Sequence, residues 1–337
     1  MSIAELEAAV RASWDREAIA IYADHLQAIG DPRGELVAID LRIDDGDAGT
    51  DVLARRAELI EEWFGAALPP GIVRYGFVDA DASGMGPDSQ LAIALRGPGA
   101  RFIRSVTLAG PHDELVPAVR ELAKERRPWL TSLVVRHWNE MTAPMSMHPT
   151  TAMLFGNLPA LTSLTLEGRR IFTAESHASL QHLRITGFDA LDLTGPEVYP
   201  RVREIDFAFH CQYARMHQDP PFEKIARLLR PAAFPSLVTL DLSRNEPGHL
   251  EPRSLGGGVT ISAFFTRFAN HPTLASVRLP SLAHETAVDA VERTLATLPS
   301  LLEVTVWAPS KRLPKHPTAT IREIPIHSVP PGPKRLA

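Results

Sequence analysis

Residues 234–248 read FPSLVTLDLSRNEPG, in which Leu237, Leu240 and Leu242 take the spacing L-x-x-L-x-L. The spacing recurs along the chain, usually after a proline and a small residue. It is present in FIRSVTL at 102–108, WLTSLVV at 129–135, LPALTSLTL at 158–166 and SLQHLRI at 179–185. It continues in YPRVREIDF at 199–207, HPTLASVRL at 271–279 and LPSLLEVTV at 298–306. The first apolar positions are Ile103, Leu130, Leu161, Leu180, Val202, Leu237, Leu274 and Leu301, separated by 27, 31, 19, 22, 35, 37 and 27 residues. A constant strand with a return path of variable length is the signature of a repeat array, not of unrelated domains.

Several return paths carry apolar residues three and four apart, the helical period: Glu114–Lys124, Thr150–Gly156, Phe222–Leu229, Ile261–Ala269 and Glu285–Leu295. A strand, a returning helix and a parallel strand make one coil of an α/β solenoid. One such coil cannot bury its apolar face alone, so neighbours stack and share a continuous core. The expectation is an α/β fold with a parallel sheet of about eight strands over residues 101–307.

The motif at 234–248 resembles a leucine-rich repeat, with Asn245 at the place of that repeat's asparagine. The other copies carry Pro111, Trp138, Arg169, Phe188, His210, Leu282 and Pro309 there, so the array is degenerate. Upstream, AIYADHLQAIGDPRGELVAIDLRID at 20–44, followed by RRAELIEEWFGAALPP and RYGFVD, resembles the repeat-companion domain that precedes such arrays in myxobacteria and related bacteria. That resemblance implies a bacterial leucine-rich-repeat-like protein. The residues themselves read as helices. Ile19, Tyr22, Ala23, Leu26 and Ile29 form one stripe, Gly30 stops the helix, and Asp31 with Pro32 starts the next. The expected organisation is a helical cap over 1–68, a hairpin-like joint over 69–100, the array over 101–307 and a tail over 308–337.

The chain has 337 residues, 45% hydrophobic and 22% charged, an ordinary globular composition. A net charge of −5 excludes nucleic-acid or anionic-lipid binding through the overall field, so neither a nucleic acid nor a membrane is an expected partner. The single cysteine, Cys211, rules out an intrachain disulfide and fits a reducing compartment. Glu5 and Glu7 stand where a signal peptide is basic, and no apolar run reaches bilayer length, so a cytoplasmic location is expected. Residues 308–337 hold six Lys or Arg, one Glu and seven prolines. This basic stretch cannot be helical, although Thr318 to Ile326 has the composition of one edge strand. It reads either as a strap capping the array followed by a frayed end, or as a docking tail for an acidic partner.

No cofactor and no metal are expected. DADASGMGPDSQ at 79–90 starts like a calcium loop, but Gln90 stands where a bidentate glutamate belongs and a strand precedes it. His210, Cys211 and His217 offer zinc-type donors without a fourth ligand or paired spacing. SLGGGVTISAFF at 254–265 places glycines before a helix but lacks a phosphate-binding lysine. The motifs G-x-S-x-G, H-E-x-x-H and G-x-G-x-x-G do not occur, which favours a non-enzymatic reading.

The strand face opposite the core is the remaining candidate, because the third and fifth residues of each copy point away from the apolar ones. In the first three copies they are small and nearly neutral. From the fourth onward they are His182 and Arg184, Glu204 and Asp206, Thr239 and Asp241, Ser276 and Arg278, Glu303 and Thr305. Across neighbouring strands Arg184, Asp206, Asp241 and Arg278 should form one row with signs plus, minus, minus, plus. Pairing of Arg184 with Asp206 and Arg278 with Asp241 accounts for part of it. Two adjacent carboxylates with Glu204 nearby would welcome a basic side chain from a partner. Trp307, Arg136, Trp138, Phe209 and Arg244 lie just past the strands as candidate interface anchors. The leading expectation is thus a protein partner on a concave strand face, bound through His182, Arg184, Glu204, Asp206, Asp241, Arg244, Arg278, Glu303 and Trp307. The alternatives are a hydrolytic or metal-assisted enzyme using the carboxylates with His182 or His210, and a regulatory companion that binds through its cap.

Overall fold

The computed structural model describes residues 2–64, 72–83, 95, 97–137, 154–167, 172–173, 176–186, 191–192, 198–208, 231–244, 268, 270–282, 285–308, 310 and 312–325. The fold is α/β, with a helical N-terminal region and a mostly parallel sheet. Two compact units are distinguished, Met1–Trp138 with Met153–Leu161, and Asn139–Ala152 with Thr162–Ala337.

The first unit begins with helices α1 (Ile3–Ser13), α2 (Arg16–Ala28), α3 (Pro32–Asp44) and α4 (Thr50–Phe64). Local sequence sets each boundary. Ser2 and Glu5 form a reciprocal capping box on α1, and the Asp15 carboxylate accepts the Ala18 N–H at the start of α2. Gly30, at φ +72°, ends the α2 region, while Asp31 caps α3 with Pro32 in its first turn. Ile19, Tyr22, Ala23 and Leu26 are buried as the stripe predicts, but Ile29 is exposed, because it lies past the last helical residue and off the buried face.

The GDPRGE stretch is explained by packing. Arg33 forks onto Asp31 through Nε and Nη2, donates Nη1 to the Tyr22 hydroxyl at 2.8 Å and stacks over Phe102 at 4.0 Å. Gly34 runs so close to α2 that a Cβ would lie 2.5 Å from the Gln27 nitrogen. A buried arginine needs this much company, because an unpaired one in the interior costs several kcal/mol, of order 3–5.

Strands β1 (Val73–Arg74) and β2 (Phe77–Ser83) form an antiparallel hairpin through Tyr75 and Gly76, both at positive φ. The Asp40 carboxylate, on α3, accepts the Tyr75 N–H and the Arg56 Nε, fixing that turn to the helices. β2 then pairs in parallel with β3 (Ile103–Gly110), and β3 with β4 (Ser132–His137). Helices α5 (His112–Lys124) and α6 (Leu154–Asn157) follow β3 and β4. Arg127 is buried and ties three carbonyls together, those of Leu95, Ala100 and Glu121.

The second unit holds β5 (Ser163–Glu167), β6 (Phe172–Thr173), β7 (His182–Thr186), β8 (Leu191–Asp192), β9 (Glu204–Ala208), β10 (Thr239–Asp241), β11 (Ser276–Leu279), α7 (Glu285–Leu295), β12 (Glu303–Trp307) and β13 (Thr320–Ile324). Seven of these strands run in the order β5-β7-β9-β10-β11-β12-β13, and β6 pairs separately with β8. With the four of the first unit they make eleven strands instead of about eight. The hairpin adds two, the first antiparallel to its neighbour, and the C-terminal segment adds the last.

Each predicted copy supplies one strand, and all three apolar positions in all eight copies are at most 1% exposed. In the second unit they form in-register ladders, one of which runs Leu164, Leu183, Ile205, Leu240, Val277, Val304 and ends on the half-buried Ile321 of β13. Fully burying such a side chain contributes roughly 1.5–3 kcal/mol. The proline before the motif occupies the second position of a β-turn in which the first apolar residue donates back to the residue before the proline. Examples are Val202 to Tyr199 at 3.3 Å, Leu237 to Phe234 at 3.1 Å and Leu301 to Leu298 at 3.4 Å. The expected helices at Glu114–Lys124 and Glu285–Leu295 are present, and part of that at Thr150–Gly156. Residues 222–229 and 261–267 lie outside the described residues.

HPTLASVRL at 271–279 has a shortened counterpart in HPTATIREI at 316–324, which forms β13. In both, the histidine folds over its own turn. His271 places Nε2 3.1 Å from the Phe234 carbonyl and accepts the Thr273 N–H at Nδ1, while His316 places Nε2 3.2 Å from the Leu295 carbonyl and accepts Ala319 N–H at 2.9 Å. Before β13 the chain is strapped to α7, where Arg312 pairs with Glu292 at 2.5 Å and with Asp289.

Two stability predictions follow from this packing. G34A should destabilise the chain by about 3 kcal/mol because backbone must move, whereas G30A, at a left-handed position with nothing within 4 Å, should cost about 1 kcal/mol; urea unfolding of the two variants checks the order. Burial also holds the His271 imidazole below its ordinary value. Its neutral form is the one the fold accepts, so the unfolded chain binds the proton first and stability falls as pH drops below about 6.5. H271Q should shallow that decline in unfolding midpoints measured from pH 7.5 to 5.5.

Candidate functional site

The polar face of the second unit is arranged by strand register. On adjacent strands Arg184 pairs with Asp206, Asp206 with Asp241, Asp241 with Arg278, Arg278 with Thr305, and Thr305 with Arg322. A parallel row runs His182, Glu204, Thr239, Ser276, Glu303, Thr320. The row of four signs therefore lies as its spacing predicts.

The two aspartates are sunk into the sheet, and their charges are met from within the chain. Arg184 Nε donates to Asp206 Oδ2 at 2.7 Å, and Arg244 Nε donates to Oδ1 at 2.7 Å and Oδ2 at 3.0 Å. Arg244 also gives Nη1 to the Thr186 hydroxyl at 3.1 Å. Asp241 accepts from the Ser243 N–H at 2.9 Å and hydroxyl at 2.6 Å through Oδ1, and from Arg278 Nη1 at 3.1 Å through Oδ2. The pairings of Arg184 with Asp206 and Arg278 with Asp241 are thus present. The basic group that the adjacent carboxylates call for is supplied by Arg244 itself. Burial pushes the Asp206 carboxyl above its ordinary value, and Arg244 and then Arg184 pull it back.

Exposure separates the charges into two layers. The Asp206 and Asp241 side chains are 10% and 12% exposed, against 49% for Arg184, 46% for Arg278 and 68% for Arg322. Glu204 lies between His182 at 3.3 Å and Arg278 at 3.5 Å, and Glu303 lies 3.7 Å from Arg322. Trp307 and Arg136 belong to strands β12 and β4 and do not lie past them, since each strand runs longer than the motif. The Trp307 Nε1 and the Arg244 Nη2 are buried without a hydrogen-bond partner among the described residues.

Arg322 is the functional candidate that the sequence reading misses. Its signal is the match of HPTATIR to HPTLASVR, which places it level with Arg278 once one leucine is dropped. In the first unit, Asp79 receives the Arg104 guanidinium and the Ser105 hydroxyl at 2.9 Å, and Arg104 stacks over Trp14 at 4.0 Å. The start of the calcium-like stretch is therefore strand β2, and residues 84–90 lie outside the described residues. So do Trp138, Phe209, His210, Cys211, His217, Asn245 and the glycines of 254–265. Among the described residues no group of three acidic, histidine or cysteine side chains is placed to hold a metal, and no helix is long and apolar enough to cross a membrane.

Covering a buried carboxylate is costly to undo. R244Q should destabilise the chain by about 3 kcal/mol by leaving Asp206 short of its second cation. R184Q, at a half-exposed pair, should cost about 1 kcal/mol or less, and adding D206N to R244Q should recover part of the loss in the same unfolding assay.

No protein-family model matches this chain, and no curated protein matches it significantly.

Proposed function

We propose that the chain is a non-enzymatic protein–protein interaction module, a leucine-rich-repeat-like solenoid of the bacterial repeat-companion type, that presents the polar strand face to a partner protein. The observation that carries this reading is the two-row polar face built at constant register on strands whose other side is fully buried. A parallel array of this kind holds side chains at repeating intervals on a rigid backing, which is what an extended protein contact needs. The charge chemistry supports binding over catalysis. Asp206 and Asp241 each have both oxygens engaged by hydrogen bonds from the chain's own residues, the arrangement of neutralised charge and not of a general base.

In this account Asp206, Asp241 and Arg244 set the geometry from below, while His182, Arg184, Glu204, Arg278, Glu303 and Trp307 form the contact layer. Affinity capture from the native host's lysate tests the proposal, with wild type compared against an H182A, E204A, R278A, E303A variant whose fold is verified by circular dichroism. Partners held by wild type should be lost on the variant. A partner retained equally by both would place the contact elsewhere and contradict the proposal.

A further inference from the structure

Resting on that reading, we infer that the partner segment is acidic and that it is held by the guanidinium groups of Arg184, Arg278 and Arg322. The three arginines occupy one register row, on β7, β11 and β13. Between them on that row stand Asp206, Asp241 and Thr305, all buried, so what the row offers to solvent is cationic. The aspartates beneath do not cancel this. They orient the guanidinium groups, as Arg184 is held on Asp206 through Nε and Arg278 on Asp241 through Nη1. Each guanidinium carries five donors in a planar fork, more than these bonds use, and a carboxylate is the group that fork fits best.

Spacing narrows the occupant. Arg184 and Arg278 are three strand intervals apart and Arg278 and Arg322 two, which is about 14 Å and about 10 Å at 4.8 Å per interval. An extended peptide rising about 3.3 Å per residue and crossing the strands meets them with acidic residues about four and then about three positions apart. Glu204 and Glu303 flank the row and are 36% and 42% exposed. They oppose a phosphodiester strand, whose charge recurs at every nucleotide, more than a peptide whose carboxylates are discrete.

Fluorescence anisotropy at low salt tests the inference on the full chain. The probes are a labelled Gly/Ser peptide with glutamates at those two spacings, its glutamine and lysine counterparts, and an oligothymidylate. The glutamate peptide should bind, with the other three at least tenfold weaker. R322E, which uncovers no buried carboxylate, and R184Q with R278Q should each weaken it several-fold, roughly tenfold together. Equal or tighter binding of the oligothymidylate would overturn the inference in favour of phosphate. Preference for the lysine peptide, lost in E204Q with E303Q, would overturn the acidic partner while leaving the strand-face reading standing. Binding unaffected by the arginine changes, or no binding by any peptide, would also overturn it, and the capture comparison then decides the strand-face reading separately.

Discussion

One backbone contact repeats through the second unit, and the side-chain positions of its long sheet depend on it. The residue after the first apolar position donates its N–H to the carbonyl of the matching residue one copy back: Gln181 to Thr162, Arg203 to Gln181, Val238 to Arg203, Ala275 to Val238 and Leu302 to Ala275, each at 2.8–2.9 Å. This line of hydrogen bonds fixes where β7, β9, β10, β11 and β12 begin. Because side chains alternate with period two, a slip of one residue would turn the apolar ladders outward and the polar rows inward. With burial of each ladder residue contributing roughly 1.5–3 kcal/mol, no slipped register competes. The return paths carry no such requirement, which accounts for intervals that range from 19 to 37 residues.

Once register is fixed, electrostatics sets the layering on the polar side. A short aspartate on a strand keeps its carboxylate near the sheet, whereas an arginine on the next strand reaches over it. Asp206 and Asp241 are therefore covered while Arg184 and Arg278 stand outside them. Burial works against the Asp206 charge and prevails, although two arginines offset part of it. A face of this design is neutral in sum, with guanidinium groups and two glutamates standing outside the aspartates.

Much of the array is legible in the sequence, since a three-position apolar motif repeated eight times fixes strands, core and register together. The helical N-terminal region is legible where local chemistry decides, as at Ser2, Asp15, Asp31 and Gly30. What escaped has both local and long-range causes. Ile29 continues an apolar spacing but falls after the helix end. Arg244 has the composition of an interface anchor, yet it is drawn inward by Asp206, 38 residues earlier. β13 hides because its copy has lost the first leucine and carries Glu323 opposite Val306, a substitution tolerated on an edge strand. The depth of the aspartates could not be read from either strand alone, since it is set by the length of the side chains crossing from the strands beside them.

The most direct measurement is the distance between spin labels on Ser163 and Glu303, which stand on the same register row of β5 and β12, five strand intervals apart. At 4.8 Å per interval the account predicts a narrow distribution centred near 24 Å between the backbone positions. A broad distribution, or one displaced by a strand interval or more, would contradict the in-register array on which the polar face is built.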